Sequence, residues 1–308
     1  MTSASASASA SAHPWRGSAQ SKIGNRKSKI SRARRGFTLI ELLAVITIIG
    51  VLAALALVAV GRARRMAYTA REISAAKQLM VAYLTYPIDN RDRLLAGKDN
   101  TEIKYDETGQ RFGGDGAGTG LVEASWVHTI RPYLGDRFIN TLYVNEQALY
   151  YKELVSGSGI AAVAYELSYC TTFGMNMEGV GGVAGLAMST QVPVHRVNAA
   201  TLPSGLIVFT SANGRNTAHP KPHPYAGYYR VEAPVPKWPL KNLTEQTSDF
   251  ADDEKYGYVS FRNSGKAVVA YLDGHVKLHS CADLRDMRLW AEEARASNNP
   301  NWRPRPVL

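Results

Sequence analysis

The chain has 308 residues, enough for one or two domains with a sizeable core, and a formal net charge of +10 at pH 7. Residues 1–36 carry most of this charge: they contain eight Lys or Arg and no Asp or Glu, whereas the rest of the chain balances 28 basic against 26 acidic side chains. This balance excludes a general polyanion-binding surface, so we expect no nucleic-acid partner.

The segment 1–36 begins with a Ser/Ala repeat and stays polar and basic, which predicts a disordered leader peptide. An uncharged, predominantly apolar run of 19 residues, Leu42–Val60, follows it. A run of about 18 or more such residues predicts a membrane-spanning helix. Because Lys and Arg are retained on the cytoplasmic side, we expect a single-pass protein with a cytoplasmic N-terminus.

A single carboxylate, Glu41, lies at the start of this apolar segment. A charged group inside a membrane helix is costly and is rarely present without a partner. Cleavage of the peptide bond after Gly36 would create a free amine on Phe37, one helical turn from Glu41 on the same face. This amine could neutralise Glu41 of its own chain or of a neighbouring one.

The stretch Gly36-Phe37-Thr38-Leu39-Ile40-Glu41-Leu42-Leu43 resembles the class III signal of type IV prepilins and type II secretion pseudopilins. The resemblance implies that a prepilin peptidase cuts after Gly36 and methylates the new N-terminus, Phe37. It also implies that Glu41 guides the docking of each subunit in a helical filament. The implied partners are the peptidase, other pilin or pseudopilin subunits, an inner-membrane assembly platform and the lipid bilayer. The implied location is the inner membrane with a periplasmic head, which could reach the cell surface after assembly.

Two plainer interpretations explain less of this segment. A signal anchor needs only apolar length and flanking charge, and has no use for Gly-Phe-Thr-Leu-Ile-Glu at its boundary. A secretory signal peptide cut after Gly61 should have an apolar core of about 7–15 residues, shorter than the run found here.

The helical pattern continues past the apolar run and predicts a transmembrane and spine helix over residues 37–86. Its apolar positions recur at spacings of three, four or seven, with Arg71, Glu72 and Lys77 between them: Met66, Ile73, Leu79, Met80 and Tyr83. Pro87 disfavours a helical conformation at Tyr86 and predicts the end of the helix there.

Residues 87–297 are predicted to form an extracytoplasmic α+β head with an antiparallel sheet, and residues 298–308 a flexible tail. A short helix is expected from Ser125, with Trp126, Ile130 and Leu134 inward and His128 on the surface. Strands are expected in these segments: Leu142–Tyr151, Ile160–Phe173, Leu206–Thr210, and a meander of Val259–Arg262, Ala267–Leu272 and His275–His279. The region 282–296 is helix-prone.

The meander resembles a C-terminal motif of a group of prepilin-like proteins, whose signature is His, nine residues, then Asp-Gly. Asp273 and Gly274 match it, and Asn263 occupies the position of the His. The departure does not support a role that needs an imidazole at this position, but Asn suits a turn.

Several polar groups are candidates for chemical sites. Cys170 and Cys281 could form a disulfide or remain two buried thiols. The pair His219 and His223 is interrupted by prolines, and Asp252–Glu254 lacks a calcium-loop pattern, so a proline-rich loop and an exposed acidic run are favoured. The glycines of 113–120 lack the Gly-Lys-Ser/Thr of a phosphate loop and are interpreted as a flexible loop.

We therefore expect no cofactor, no metal and no enzymatic activity. The favoured function is a structural subunit of a type IV pilus or a type II secretion pseudopilus. The alternative is a membrane-anchored extracytoplasmic enzyme or ligand-binding module that uses a prepilin-like signal, with Asp273 and His275 as a candidate pair.

Overall fold

The structure is a computed structural model that describes residues 36–98, 104–105, 111–112, 125–157, 168–183, 192–214, 227–234, 238 and 255–304. The expectations for the glycines of 113–120, for His219 and His223, and for Asp252–Glu254 lie outside the described residues.

The first element is helix α1, Leu39–Asp89, which is 51 residues long. It continues for three residues beyond the predicted end, because Pro87 is accommodated in the last turn. The carbonyl of Pro87 accepts hydrogen bonds from the backbone N–H groups of Asn90 and Asp92, at 3.1 and 2.9 Å. Arg91 and Asp92 then adopt positive φ angles of 55° and 61°, and this left-handed turn ends the helix.

The chain divides into two compact units. The first ends at Ala54, and its described part is the beginning of α1, where every residue is exposed. The second unit begins at Leu55 and contains the rest of α1 and all other elements. Within this unit α1 buries one face against the head: Glu72, Ala75, Ala76, Leu79, Met80, Ala82, Tyr83, Tyr86 and Pro87.

Four short helices lie in the described range 125–157: α2 Trp126–Thr129, α3 Arg131–Leu134, α4 Phe138–Leu142 and α5 Glu146–Gly157. The predicted helix start at Ser125 is confirmed, since the Ser125 hydroxyl caps α2 by accepting a hydrogen bond from the backbone N–H of Val127.

The predicted inward residues of this region, Trp126, Ile130 and Leu134, are buried. The prediction for His128 was wrong, because its exposed fraction is only 7%. The prediction of a strand over Leu142–Tyr151 was also wrong, since this segment ends α4 and begins α5, with Asn145 at a positive φ of 57° between them.

Strands β1 Lys104–Tyr105 and β2 Arg111–Phe112 form a small antiparallel pair. The main sheet is antiparallel with the order β3-β4-β5-β6, formed by Phe173–Met175, Ile207–Ser211, Lys266–Tyr271 and Val276–Ser280. The fold is therefore α+β, as predicted, and the apolar strand after Pro203-Ser204-Gly205 is confirmed as β4, which is buried throughout.

The first strand of the predicted meander is absent from the sheet. Val259–Arg262 forms only isolated bridges, from Val259 to Ala212 and from Arg262 to Lys266. The turn at Asn263 is present, but the position beside β5 is taken by β4. The meander is therefore β4-β5-β6, with a turn at Asp273-Gly274 between its last two strands.

The two faces of the sheet belong to two apolar clusters. Val268, Ala270 and Leu272 contribute to the cluster that contains α1 and α2, whereas Ala267, Val269 and Tyr271 contribute to the second. The second cluster is covered by the C-terminal region, with the buried residues Leu284, Met287, Trp290 and Ala294. In this helix-prone region, Glu292–Ala296 forms an α-helix, here α6. The residues before it form two 3-10 turns instead, Asp283–Arg285 and Met287–Leu289. Trp302 packs on the same cluster, so the chain is packed at least to this residue.

Candidate functional site

The expected cleavage point lies just before the first turn of α1. Gly36, Phe37 and Thr38 precede the helix, and all three are exposed. A Cβ atom added to Gly36 would meet no heavy atom within 4 Å. The described part of the chain therefore leaves room for a side chain at this position.

Glu41 is bound to the N-terminus of its own helix. Its Oε2 atom accepts hydrogen bonds from the backbone N–H and the hydroxyl of Thr38, both at 2.8 Å. The Thr38 hydroxyl accepts a bond from the backbone N–H of Glu41 at 3.3 Å. This reciprocal arrangement is a capping box, which satisfies N–H groups that a helix start leaves unpaired. It places the carboxylate at the positive end of the helix dipole, where a negative charge is stabilised.

The apolar side chains that follow Glu41 have no cover in the described chain. They include Leu42, Leu43, Ile46, Ile49, Leu52 and Leu55, each more than half exposed. Among the described residues, α1 is the one helix long and apolar enough to cross a membrane. An exposed apolar helix near the N-terminus fits a single-pass membrane anchor.

A second polar site, which the sequence analysis missed, lies between α1 and the head. The Glu72 side chain is only 1% exposed, and its carboxylate receives a bidentate contact from Arg262, with Nε to Oε2 at 3.0 Å and Nη2 to Oε1 at 2.9 Å. The Ser211 hydroxyl donates to Oε1 at 2.5 Å, and the Asn263 amide donates to Oε2 at 3.3 Å. We call these four residues the Glu72 cluster.

The guanidinium of Arg262, the cation of the Glu72 cluster, makes further hydrogen bonds to backbone carbonyls. Arg262 donates through Nη1 to the carbonyl of Ala212 and through Nη2 to the carbonyl of Thr172, both at 2.9 Å. A buried charge is tolerated when it is paired and its remaining hydrogen-bonding groups are satisfied. Glu72 precedes Leu79 by seven residues and Tyr83 by eleven, so helical periodicity places all three on the same face of α1. This spacing is the sequence signal for its burial, although charged residues are normally assigned to the exposed face.

The residues of the predicted C-terminal motif do not come together. Asn263 belongs to the Glu72 cluster and accepts a hydrogen bond from the Thr69 hydroxyl at 2.9 Å. Asp273 and Gly274 lie at the other end of β5, about 20 Å of extended strand away. Asp273 accepts hydrogen bonds through Oδ1 from the backbone N–H of His275 and contacts the His275 ring at 2.6 Å. Gly274 has a φ of 92°, which favours glycine, so this end of the motif forms the turn.

A chain of aromatic and ionisable groups continues from this turn. The rings of Tyr271 and His275 stack with their centres 4.2 Å apart, and the Tyr271 hydroxyl lies 2.8 Å from Nε2 of His279. Burial raises the pKa of Tyr271 to about 12. Burial also lowers the pKa of His279, an effect that nearby Asp283 opposes and that Lys277 and His275 reinforce.

The other candidate sites are placed as follows. Cys170 and Cys281 are both buried and not joined by a disulfide, and they belong to different apolar clusters. Within the described ranges, no group of three or more His, Cys, Asp or Glu side chains could hold a metal ion.

The N-terminal segment defines the class of protein. The described residues of this segment combine an exposed stretch at Gly36–Thr38, a capped carboxylate at Glu41 and an uncovered apolar helix that fits a membrane anchor. The chain matches the prokaryotic N-terminal methylation motif over residues 31–57. It therefore carries a type IV pilin- or pseudopilin-like prepilin signal, as predicted. No curated protein and no solved structure matches this chain.

Proposed function

We propose that this protein is a structural subunit of a type IV pilus or a type II secretion pseudopilus. Prepilin peptidase cleaves it after Gly36 and methylates Phe37, and an inner-membrane platform assembles it with other subunits. Its leader faces the cytoplasm and its head the periplasm. The observation that carries this proposal is the methylation motif at residues 31–57, which includes the start of an apolar helix that the described chain leaves uncovered.

The capping box suggests how Glu41 participates. In the uncleaved chain, the Thr38 N–H and hydroxyl are its hydrogen-bond donors. Cleavage adds a cationic amine at Phe37, directly before Thr38. In a low-dielectric environment, a carboxylate gains more from a cation than from neutral donors. The amine of one copy and Glu41 of another then provide an attraction that favours one axial register.

A structural role also agrees with the charges in the head. The carboxylate of Glu72 is bonded to four side-chain donor atoms, an arrangement that holds elements together and leaves little capacity for proton transfer. The membrane-anchored enzyme is the less favoured proposal, because the Asp273–His275 pair is explained by the turn that it closes.

The test is the N-terminus of protein extracted from native membranes. Mass spectrometry should find a chain that begins with N-methylated Phe37. Gly36→Leu should block this processing, because the scissile backbone must enter a protease cleft. Gly50→Leu is the matched control, since Gly50 has equally open space around it but lies within the helix. Native protein that still begins at Met1, in cells with a working peptidase, would contradict the proposal.

A second experiment isolates the carboxylate. Glu41→Ala should leave cleavage largely intact and impair incorporation into filaments. Thr47→Ala is the control, because Thr47 lies in the same apolar segment and its hydroxyl only bonds back to the carbonyl of Leu43. Normal filament incorporation of the Glu41→Ala protein would refute the docking role.

A further inference from the structure

A small cavity opens beside the Glu72 cluster, with a volume of about 190 Å³. One wall is α1, through Arg65, Tyr68 and Thr69. Asn145 and Glu146, where α5 begins, and Ser264 in the turn before β5 also line the cavity. The walls are tied together, because the Asn145 amide donates a hydrogen bond to the carbonyl of Tyr68 at 2.9 Å.

The Glu72 cluster also lines this cavity. Glu72 and Arg262 neutralise each other, and Asn263 is held between Glu72 and Thr69. This side of the cavity is therefore rigid and electrically balanced.

Two other charged side chains line the cavity. The guanidinium of Arg65 and the carboxylate of Glu146 each form no ion pair within the described chain. A cation and an anion that line one cavity without pairing with each other match a ligand that carries both charges. The cavity is therefore suited to a zwitterion, in which an anionic group contacts Arg65 and a cationic group contacts Glu146.

The position of the cavity along the chain indicates where such a ligand would come from. Arg65 follows Val60, the last residue of the uncharged run, by five residues. At 1.5 Å per residue it lies about 7.5 Å beyond the apolar segment along the helix. The headgroup region of a bilayer is about 5–8 Å thick on each side of the hydrocarbon core, so Arg65 falls at its outer edge.

We propose that this cavity binds the headgroup of a zwitterionic phospholipid that carries a phosphate and a primary ammonium group. Arg65 binds the phosphate, and Glu146 accepts hydrogen bonds from the ammonium. The proposal rests on the membrane insertion of α1, but not on cleavage or on filament assembly. A lipid held here would fix the depth of the head relative to the membrane surface before assembly.

The test uses the purified full-length protein in lipid nanodiscs, with lipid retention measured by native mass spectrometry. Lipids with identical acyl chains and phosphoethanolamine, phosphocholine or phosphoglycerol headgroups are compared. The phosphoethanolamine lipid should be retained best, because the quaternary ammonium of phosphocholine cannot donate a hydrogen bond and phosphoglycerol has no cation for Glu146. Equal retention of all three would overturn the proposal.

Single variants assign the contacts. Arg65→Gln and Glu146→Gln should each weaken retention of the phosphoethanolamine lipid about tenfold, since each removes one charge-assisted hydrogen bond. Arg64→Gln is the control, because Arg64 is exposed next to Arg65 and does not line the cavity. Equal losses in the Arg64 and Arg65 variants would show a diffuse attraction to the bilayer and refute the site. Because uncleaved protein can be used, the result is independent of peptidase processing.

Discussion

Arg262→Ala should destabilise the head strongly. The substitution leaves the carboxylate of Glu72, whose side chain is 1% exposed in the native structure, with two donor residues, Ser211 and Asn263. It also removes the donors to the carbonyls of Ala212 and Thr172.

The magnitude follows from the burial of the pair. Removing one partner of a buried ion pair costs about 3–5 kcal/mol of unfolding free energy. The Arg262 side chain is 18% exposed and lines a cavity, so water can partly hydrate the remaining carboxylate. We therefore expect a loss near the lower limit, about 3 kcal/mol.

Urea unfolding of the full-length protein in detergent micelles measures this loss. Trp126 and Trp290 are fully buried, so intrinsic fluorescence reports on both apolar clusters. Arg288→Ala is the matched control, because Arg288 pairs with Asp286 at the surface, and its removal should cost much less. A loss below about 1 kcal/mol, or one equal to the control, would refute the reasoning. Combining Glu72→Leu with Arg262→Met should recover part of the lost stability, because no buried charge is then left alone, while the carbonyls of Ala212 and Thr172 still lack their donors.

Three further outcomes are expected. Thr38→Val should speed amide hydrogen exchange in the first turn of α1 in micelles, because the hydroxyl that bonds the Glu41 carboxylate and accepts from the Glu41 N–H is lost, whereas Thr38→Ser should not. The head should lose stability as the pH falls below about 6.5. Burial lowers the pKa of His279 in the folded state, so the unfolded state binds more protons in this range. His279→Gln should flatten the pH dependence of the unfolding free energy measured by urea titration. Gly274→Ala should cost about 1–2 kcal/mol in the same assay, because a Cβ at a φ of 92° is strained, and an unchanged midpoint would contradict this.

The N-terminal part of the molecule could be predicted from the sequence because its signals are local. The small residue, the carboxylate and the uncharged run follow one another along one helix, and helical spacing places them without any information from the head. The end of α1 was predicted three residues too early, since the preference of a residue before proline is weaker than the packing of a whole helical face.

The head was less predictable, because its decisive contacts are distant in sequence. Nothing near Val259 indicates that β4, 48 to 52 residues earlier, takes the place beside β5. Glu72 was assigned to the polar residues of the helix because its partner, Arg262, is 190 residues away. His128 was placed on the surface for the same reason: a four-residue helix does not reveal which other elements cover it.

The apolar residues on both faces of strand β5 affect how the register of the sheet is determined. Both of its faces are apolar, so a shift by one residue would move Val268 and Ala270 to the second cluster and Ala267 and Val269 to the first, with little change in hydrophobicity. The pattern of polar and apolar residues in β5 therefore disfavours a shifted register only weakly. The strand lies between two tight turns with positive φ angles at Gly265 and Gly274. These turns fix the register and therefore determine which residues face each cluster.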